Sequence, residues 1–340
     1  MGGLISLRRA RTWLAVDVGS SSIKIAEVTE ARGGPRVLRT GVLPVPAGAV
    51  ENGFVRRTDV LGHAIREFAG PSQGKPPRAV VSIPGRGVII KRLQVRERNL
   101  RKLDDVIEFE AMDALPEDPD NVNIDYHVLG PSEGGDGLEV LLVAGRKNLV
   151  ENYVDLVEAA GLVPAIVEVD QFALRSAGSV SASGPADALV HAGACSTTIH
   201  VPTDEAPGYT KELPMGGEQF TESLAVNLGV SRDEAEAVKL SAPSAEAAPL
   251  LDGLCEELAA MVGRGLALVG TLSGRTGPRR VSLSGGSALL PGLAPSLARA
   301  LEAEVRISGP FFGPHLPPDQ EHTGPGFAVV AGLVTRNPFE

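Results

Sequence analysis

The sequence predicts a two-domain α/β protein, and three observations carry this. The apolar run Trp13-Leu14-Ala15-Val16 and the alternating Ile23, Ile25 and Val28 flank Gly19-Ser20-Ser21-Ser22, which reads as strand, tight turn and strand. The second half opens alike: Ala188-Leu189-Val190 runs into the turn Gly193-Ala194-Cys195-Ser196-Thr197-Thr198 and then Ile199 to Val201. Helical stripes recur at Phe220, Leu224 and Leu228, and again at Leu251, Leu254, Leu258, Met261, Val262 and Leu268. A chain of 340 residues that is 43% hydrophobic has the material for two domains with real cores or one large one.

Taken in order, residues 11–52 open the first domain with that hairpin and a strand from Val37 to Leu43, which Pro44-Val45-Pro46 breaks. Residues 53–161 are expected to form an inserted α/β subdomain, with exposed turns at Gly70–Pro77 and Pro131–Gly137. Residues 162–185 return to the first domain through a strand ending at Val169 and a helix after Asp170, and Gly178–Pro185 leads into a second domain over 186–325. There Ser231 and Glu234 form a capping box, and Glu236 and Lys239 share one face of the helix it starts. Arg280–Leu283 is a strand running through Ser284-Gly285-Gly286-Ser287 toward a helix near Leu293, and residues 326–340 return a last helix to the first domain.

The formal charge of −10 argues against a nucleic-acid surface. Cys195 and Cys255 suggest neither a disulfide framework nor a zinc site, and His63, His127, His200, His315 and His322 lack metal-ligand spacing. No stretch approaches the ~20 apolar residues of a membrane span. The start, with Leu4, Ile5, Leu7 and the arginines at 8, 9 and 11, is too short for a secretory signal and reads as a basic leader; its myristoylation pattern is taken as chance.

The turns point to phosphate. Gly19 lets the backbone approach a ligand, while Ser20, Ser21 and Ser22 present N–H and hydroxyl donors to anionic oxygens. Asp17 is the candidate metal residue, ordering the water shell of magnesium. A strand, a glycine pair and a helix start at Gly285, Gly286 and Ser287 form a second geometry that brings backbone against a nucleotide. Lys24 either faces a phosphate as a point charge or is a solvated strand residue. An ordinary serine-rich hairpin is the alternative for the first turn taken alone.

The order of these elements resembles the actin-like ATPase superfamily and, within it, the type IV pilus assembly protein family PilM, a relative of the cell-division protein FtsA. Ala79–Pro84 and Val88–Leu93 look like the paired strands of that family's inserted subdomain. Leu103–Ala111, Ile124–Gly130, Val140–Lys147 and Phe327–Arg336 are similar to its further elements. The resemblance implies an actin-like two-domain fold of ribonuclease H-like repeats that binds ATP or ADP with magnesium. Its nucleotide residues would be Asp17, Gly19, Ser20, Ser21, Ser22, Lys24, Gly193, Thr197, Gly216, Gly217, Glu236, Lys239, Gly285, Gly286 and Ser287, with Glu236 and Lys239 meeting the ribose and base. It also implies a partner, the cytoplasmic tail of a PilN-like inner-membrane protein. That tail would dock between the first domain and the insert, against Ile89, Lys91 and Leu93, with the Leu100–Leu115 helix as the other wall. A cytoplasmic position at the inner face of the inner membrane and contact with other platform proteins go with this, and self-association stays open.

Two departures bear on catalysis. The family's second phosphate turn usually begins with aspartate, and this chain has His191-Ala192-Gly193; a neutral imidazole does not replace that charge, and a protonated one opposes a cation. Asp170, the candidate catalytic residue, stands where family members usually carry a water-positioning glutamate, with Glu168 expected on the same strand face. Hydrolysis is therefore expected to be weak or absent. The alternatives are a small-molecule kinase of the same fold, for which no general base is evident, and a nucleotide-free pseudo-ATPase of a type II secretion-like platform.

Overall fold

The computed structural model describes residues 11–71, 74–96, 103–115, 118–132, 137–178, 186–202, 208–241, 244–273, 277–309, 311–312 and 324–339. Its strands are β1 (Thr12–Val18), β2 (Ser22–Ala31), β3 (Gly34–Pro44), β4 (Val50–Glu51), β5 (Phe54–Val55), β6 (Arg78–Ile83), β7 (Val88–Val95), β8 (Val122–Pro131), β9 (Leu138–Arg146), β10 (Val163–Val169), β11 (Ala188–Ala192), β12 (Thr197–Val201), β13 (Tyr209–Leu213), β14 (Arg280–Ser284) and β15 (Glu304–Ile307). Its helices are α1 (Thr58–Ala69), α2 (Leu103–Ala114), α3 (Lys147–Ala159), α4 (Asp170–Ala177), α5 (Gly217–Leu228), α6 (Arg232–Leu240), α7 (Ala247–Ser273), α8 (Leu293–Leu301) and α9 (Ala328–Val334). The leader at residues 1–10, most of the Gly178–Pro185 connection, the start of the Leu100–Leu115 helix, His315 and His322 lie outside the described residues.

Two five-stranded sheets share one topology, β10-β6-β1-β2-β3 in the first domain and β13-β12-β11-β14-β15 in the second. In each, the opening strand pairs antiparallel with the strand that follows it and parallel with one that arrives after a crossover. The chain is a structural duplication that no sequence period announces. In the first domain Leu14, Val16 and Val18 pack with α1 and α3, while Trp13 and Ala15 pack with α4 and α9. A strand covered on both faces must be apolar without alternation, as β1 is. Every residue of α9 is buried, so the C-terminal segment belongs to the first domain's core.

In the second domain Phe220, Leu224, Leu251, Leu258 and Val262 join the strands in one core. Leu268 leaves the predicted stripe and is 47% exposed. At 3.6 residues per turn it stands roughly 240° around the helix from Val262. Leu266 and Val269 continue the buried face instead. The capping box is formed: Ser231 N–H donates to Glu234 Oε2 at 2.8 Å and Glu234 N–H to Ser231 Oγ at 3.3 Å, which fixes the start of α6.

The insert is narrower than residues 53–161. A separate three-stranded sheet, β7-β9-β8, carries α2 on a core of Val95, Leu103, Ile107, Ala111, Val140 and Leu142, whereas α1, β6 and α3 are built into the first domain. The implied pairing of Ala79–Pro84 with Val88–Leu93 is corrected too: β6 lies parallel between β1 and β10, and β7 pairs with β9. Ala79 through Ile83 are all buried, whereas Lys91 and Arg92 on β7 are exposed. The 3-10 turn Gly85–Gly87 carries the chain from one sheet to the other. Among the described residues, no helix is long and apolar enough to cross a membrane.

Candidate functional site

The duplication sets two matching hairpin turns at the ends of β1 and β11. Gly19 N–H donates to Ser22 O at 3.2 Å, and Gly193 N–H donates to Ser196 O at 2.9 Å. A methyl group on either glycine would come to 3.0 Å from that same serine carbonyl, a tight contact in both turns. Ahead of the two glycines, Asp17 and His191 occupy equivalent places. Asp17 lies opposite Lys24 in the β1–β2 register and hydrogen-bonds Ser82 on β6. His191 is paired with Ser284 in the β11–β14 register, its Nδ1 3.0 Å from Ser284 Oγ. The supporting roles of Ser82 and Ser284 were missed in the sequence, although Ser82 shows as the polar residue within Ala79–Ile83.

Lys24 acts on both turns. Burial raises the Asp17 carboxyl above its ordinary pKa, with the Lys24 charge and the Ser82 hydrogen bond opposing the rise. Burial and then Lys24 hold His191 down to about 4, so it is neutral at neutral pH. A methyl placed on Gly326 would lie 3.9 Å from both Lys24 Cε and Gly286 N. Lys24 is half-buried, and its stem reaches toward Gly286 and Gly326 of the chain's second half.

Asp170 opens α4, where its Oδ1 accepts the Gly85 N–H at 3.1 Å. Burial, followed by the charge of Asp17, lifts its pKa to about 7. Because the folded value exceeds the unfolded one, the contribution is fully present below about 4 and is lost as pH rises toward 7. Asp170→Asn keeps an acceptor for Gly85 and should gain stability relative to wild type between those values, with the gain levelling off above pH 7; thermal melts across that range check it. A constant difference would show that Asp170 titrates normally. Glu168 is not available beside it, since it pairs with Arg336 at 2.5 Å. The strand ends at Val169, so the expected shared face with Asp170 does not continue.

In the second domain, Gly216 and Gly217 bring the start of α5 against the Gly193 turn. Gly217 N–H donates to Gly193 O at 3.0 Å, Glu218 N–H to Ala194 O at 2.7 Å, and a methyl on Gly216 would sit 2.6 Å from Ala194 O. These N–H groups are thus bonded within the protein. Ser287 Oγ donates to Gly193 O at 2.8 Å, which ties the glycine pair to the same turn. Thr197 is fully buried and donates to Met215 O at 2.7 Å, bracing the turn from behind. Lys239 is buried, with Nζ 3.1 Å from Gly217 O, 2.8 Å from Thr221 Oγ1 and 2.6 Å from Glu236 Oε2. Burial pushes the Glu236 carboxyl up, but hydrogen bonds from Lys239 and Thr221 outweigh it and bring it below its usual range. Thr221, missed in the sequence, is the third member of this pair.

The glycine pair divides its work. Gly285 has φ 91°, donates its N–H to Pro325 O at 2.8 Å, and is packed so closely on Ala192 that an added methyl would overlap that backbone. Gly286 meets nothing within 4 Å on its open side. Across the cleft, Arg86 in the turn leading into the insert forms an ion pair with Glu212 on β13. Of the predicted partner residues, Ile89 and Leu93 pack on the insert's own core, while Lys91 is exposed on β7, an edge strand of its sheet.

Magnesium does not fit this donor set in the implied way. The place equivalent to Asp17 holds an imidazole, a poor partner for a hard cation, and Asp17 itself is engaged by Ser82 and Lys24. Among the described residues, no group of three or more His, Cys, Asp or Glu side chains is placed to hold a metal ion.

Comparison with known proteins agrees with this architecture. The cell division protein FtsA of Bacillus subtilis (strain 168) is 24% identical over 357 residues, covering 88% of this chain and 78% of that protein. A solved structure described as a PilM-PilN type IV pilus biogenesis complex superposes with a TM-score of 0.78 at 23% identity, covering 96% of this chain and 99% of that one. The ethanolamine utilization protein EutJ from Carboxydothermus hydrogenoformans shares the fold at a TM-score of 0.59 and 16% identity, over 96% of this chain and 90% of that one. The family described as type IV pilus assembly protein PilM matches residues 15–336, and the chain, an actin-like α/β protein of two duplicated domains with an insert, belongs to that family.

Proposed function

We propose that the chain is a nucleotide-binding scaffold of a type IV pilus inner-membrane platform, clamping the cytoplasmic tail of a PilN-like membrane protein. The observation that supports it best is the pair of equivalent glycine hairpins with Lys24 acting on both. ATP or ADP would lie with its phosphates between Gly19–Ser22 and Gly285–Ser287, and with its ribose near Glu236 and Lys239. Hydrolysis would be weak or absent, since His191 carries no negative charge. The scaffold would sit peripherally at the inner face of the inner membrane.

The partner reading draws on the solved relative described as a PilM-PilN complex. Because Ile89 and Leu93 are turned to the insert's own core, the tail would add to the edge of β7 through its backbone, beside Lys91, a mode in which main-chain bonds give affinity and side chains give register. The turn feeding β7 touches Asp170 through Gly85 and the second domain through Arg86, so nucleotide-driven closure would bear on that edge. Fluorescence anisotropy with a tail peptide from a bitopic membrane protein encoded nearby tests this. Lys91→Glu should weaken binding about tenfold, and added nucleotide should change wild-type affinity. Equal affinity in wild type and variant would remove β7 from the site.

A further inference from the structure

We infer that this protein binds a nucleoside diphosphate without a divalent cation, with His191 and Lys24 supplying at the phosphates what two carboxylates and a metal ion would otherwise supply. The inference rests on the nucleotide reading of the same cleft and goes beyond it. The duplicated fold fixes the comparison: Asp17 beside Ser82 in one domain is matched by His191 beside Ser284 in the other. Two carboxylates in those places would repel a phosphate chain, and a bound cation is what makes such a cleft acceptable to it. Here one of the two repulsions is absent at its source.

The remaining groups suit an anion held directly. Ser284 Oγ lies against Nδ1 of His191, and in the tautomer in which that hydroxyl donates to Nδ1 the ring carries its proton on Nε2, the donor that a phosphate oxygen would accept. Lys24, whose Nζ lies 3.4 Å from Ser22 O at the first turn, also acts on His191 from the opposite domain. A methyl on Gly326 would lie 3.9 Å from both Lys24 Cε and Gly286 N, so the lysine stem reaches toward the second domain's glycine pair while its ammonium stays at the first turn. Magnesium gives up its water reluctantly and takes oxygen ligands, and an imidazole in the second position offers it none.

Calorimetric titration of the full chain with ADP, in chelator and in magnesium, decides the matter. Wild-type affinity should not fall by more than about threefold on chelation, since magnesium, which itself complexes ADP in solution, adds nothing at this site. His191→Asp should bind about tenfold more weakly in chelator and recover on adding magnesium, the dependence that the second carboxylate restores. Wild-type binding that weakens more than about threefold on chelation would overturn the inference and leave the nucleotide reading standing. No binding in either condition would overturn both. The wild-type comparison decides on its own if the aspartate variant does not fold.

Discussion

Gly332→Ala is expected to destabilise the first domain by about 3 kcal/mol or more. A methyl group there would fall on the backbone of Ala173, overlapping its carbonyl and Cα. Neither helix has room to yield. Ala173, Leu174 and Ala177 on α4 are buried, all of α9 is buried, and Trp13, Ala15 and Val80 close the layer from the sheet side. Relaxation would have to move backbone, because no flexible side chain end stands in the way. Gly253→Ala is the control: it lies in α7 on an exposed face with nothing within 4 Å, and helix propensity alone should raise stability by up to about 1 kcal/mol. Urea unfolding of the two variants beside wild type measures both. An unchanged midpoint for Gly332→Ala would mean that α9 does not lie against α4 as described.

The same tight layer shows what could be read from residues alone and what could not. Phe327–Arg336 was legible as a closing helix through its resemblance to the family's last element, and the apolar run Ala328–Val334 fits a helix buried on every side. That it meets α4 backbone to backbone was not legible, since a glycine in a helix looks the same whether it faces solvent, as Gly253 does, or a carbonyl. The turns at Gly19 and Gly193 were legible because a hairpin glycine between apolar runs is a local signal. The partners of β6 and β7 were not. Both runs are apolar, and periodicity does not say which strand lies alongside. The difference was nevertheless present, in that Ala79–Ile83 has one polar residue that a central strand can bury, whereas β7 places Lys91 and Arg92 side by side as an edge strand can. Glu236 and Lys239 were legible as neighbours on one face, since three residues bring them there. Their third member, Thr221, lies on another helix and could come only from the packing of α5 on α6.

Gly286→Val is expected to abolish most nucleotide binding while leaving the fold intact. The two adjacent glycines make opposite demands. Gly285 is held at positive φ against Ala192, so any side chain there attacks the fold itself, and lost binding would say nothing about a ligand. Gly286 is exposed, and a Cβ added there meets nothing within 4 Å, so a side chain can start from it without attacking the protein. The Gly286 backbone lies close to Gly326, where an added methyl would come to 3.9 Å from both Gly286 N and Lys24 Cε, and the proposed phosphates pass here. Loss of about 100-fold in affinity, or roughly 2.7 kcal/mol, is the expected scale when a side chain occupies the volume of a phosphate group. Calorimetry with ADP and a urea midpoint on the same sample separate the two effects. Weakened binding at an unchanged midpoint places the ligand against Gly286, because no other loss accompanies it. Unchanged affinity would mean that the phosphates do not run between the first hairpin and the glycine pair, and the role given to Lys24 and His191 would fall with them.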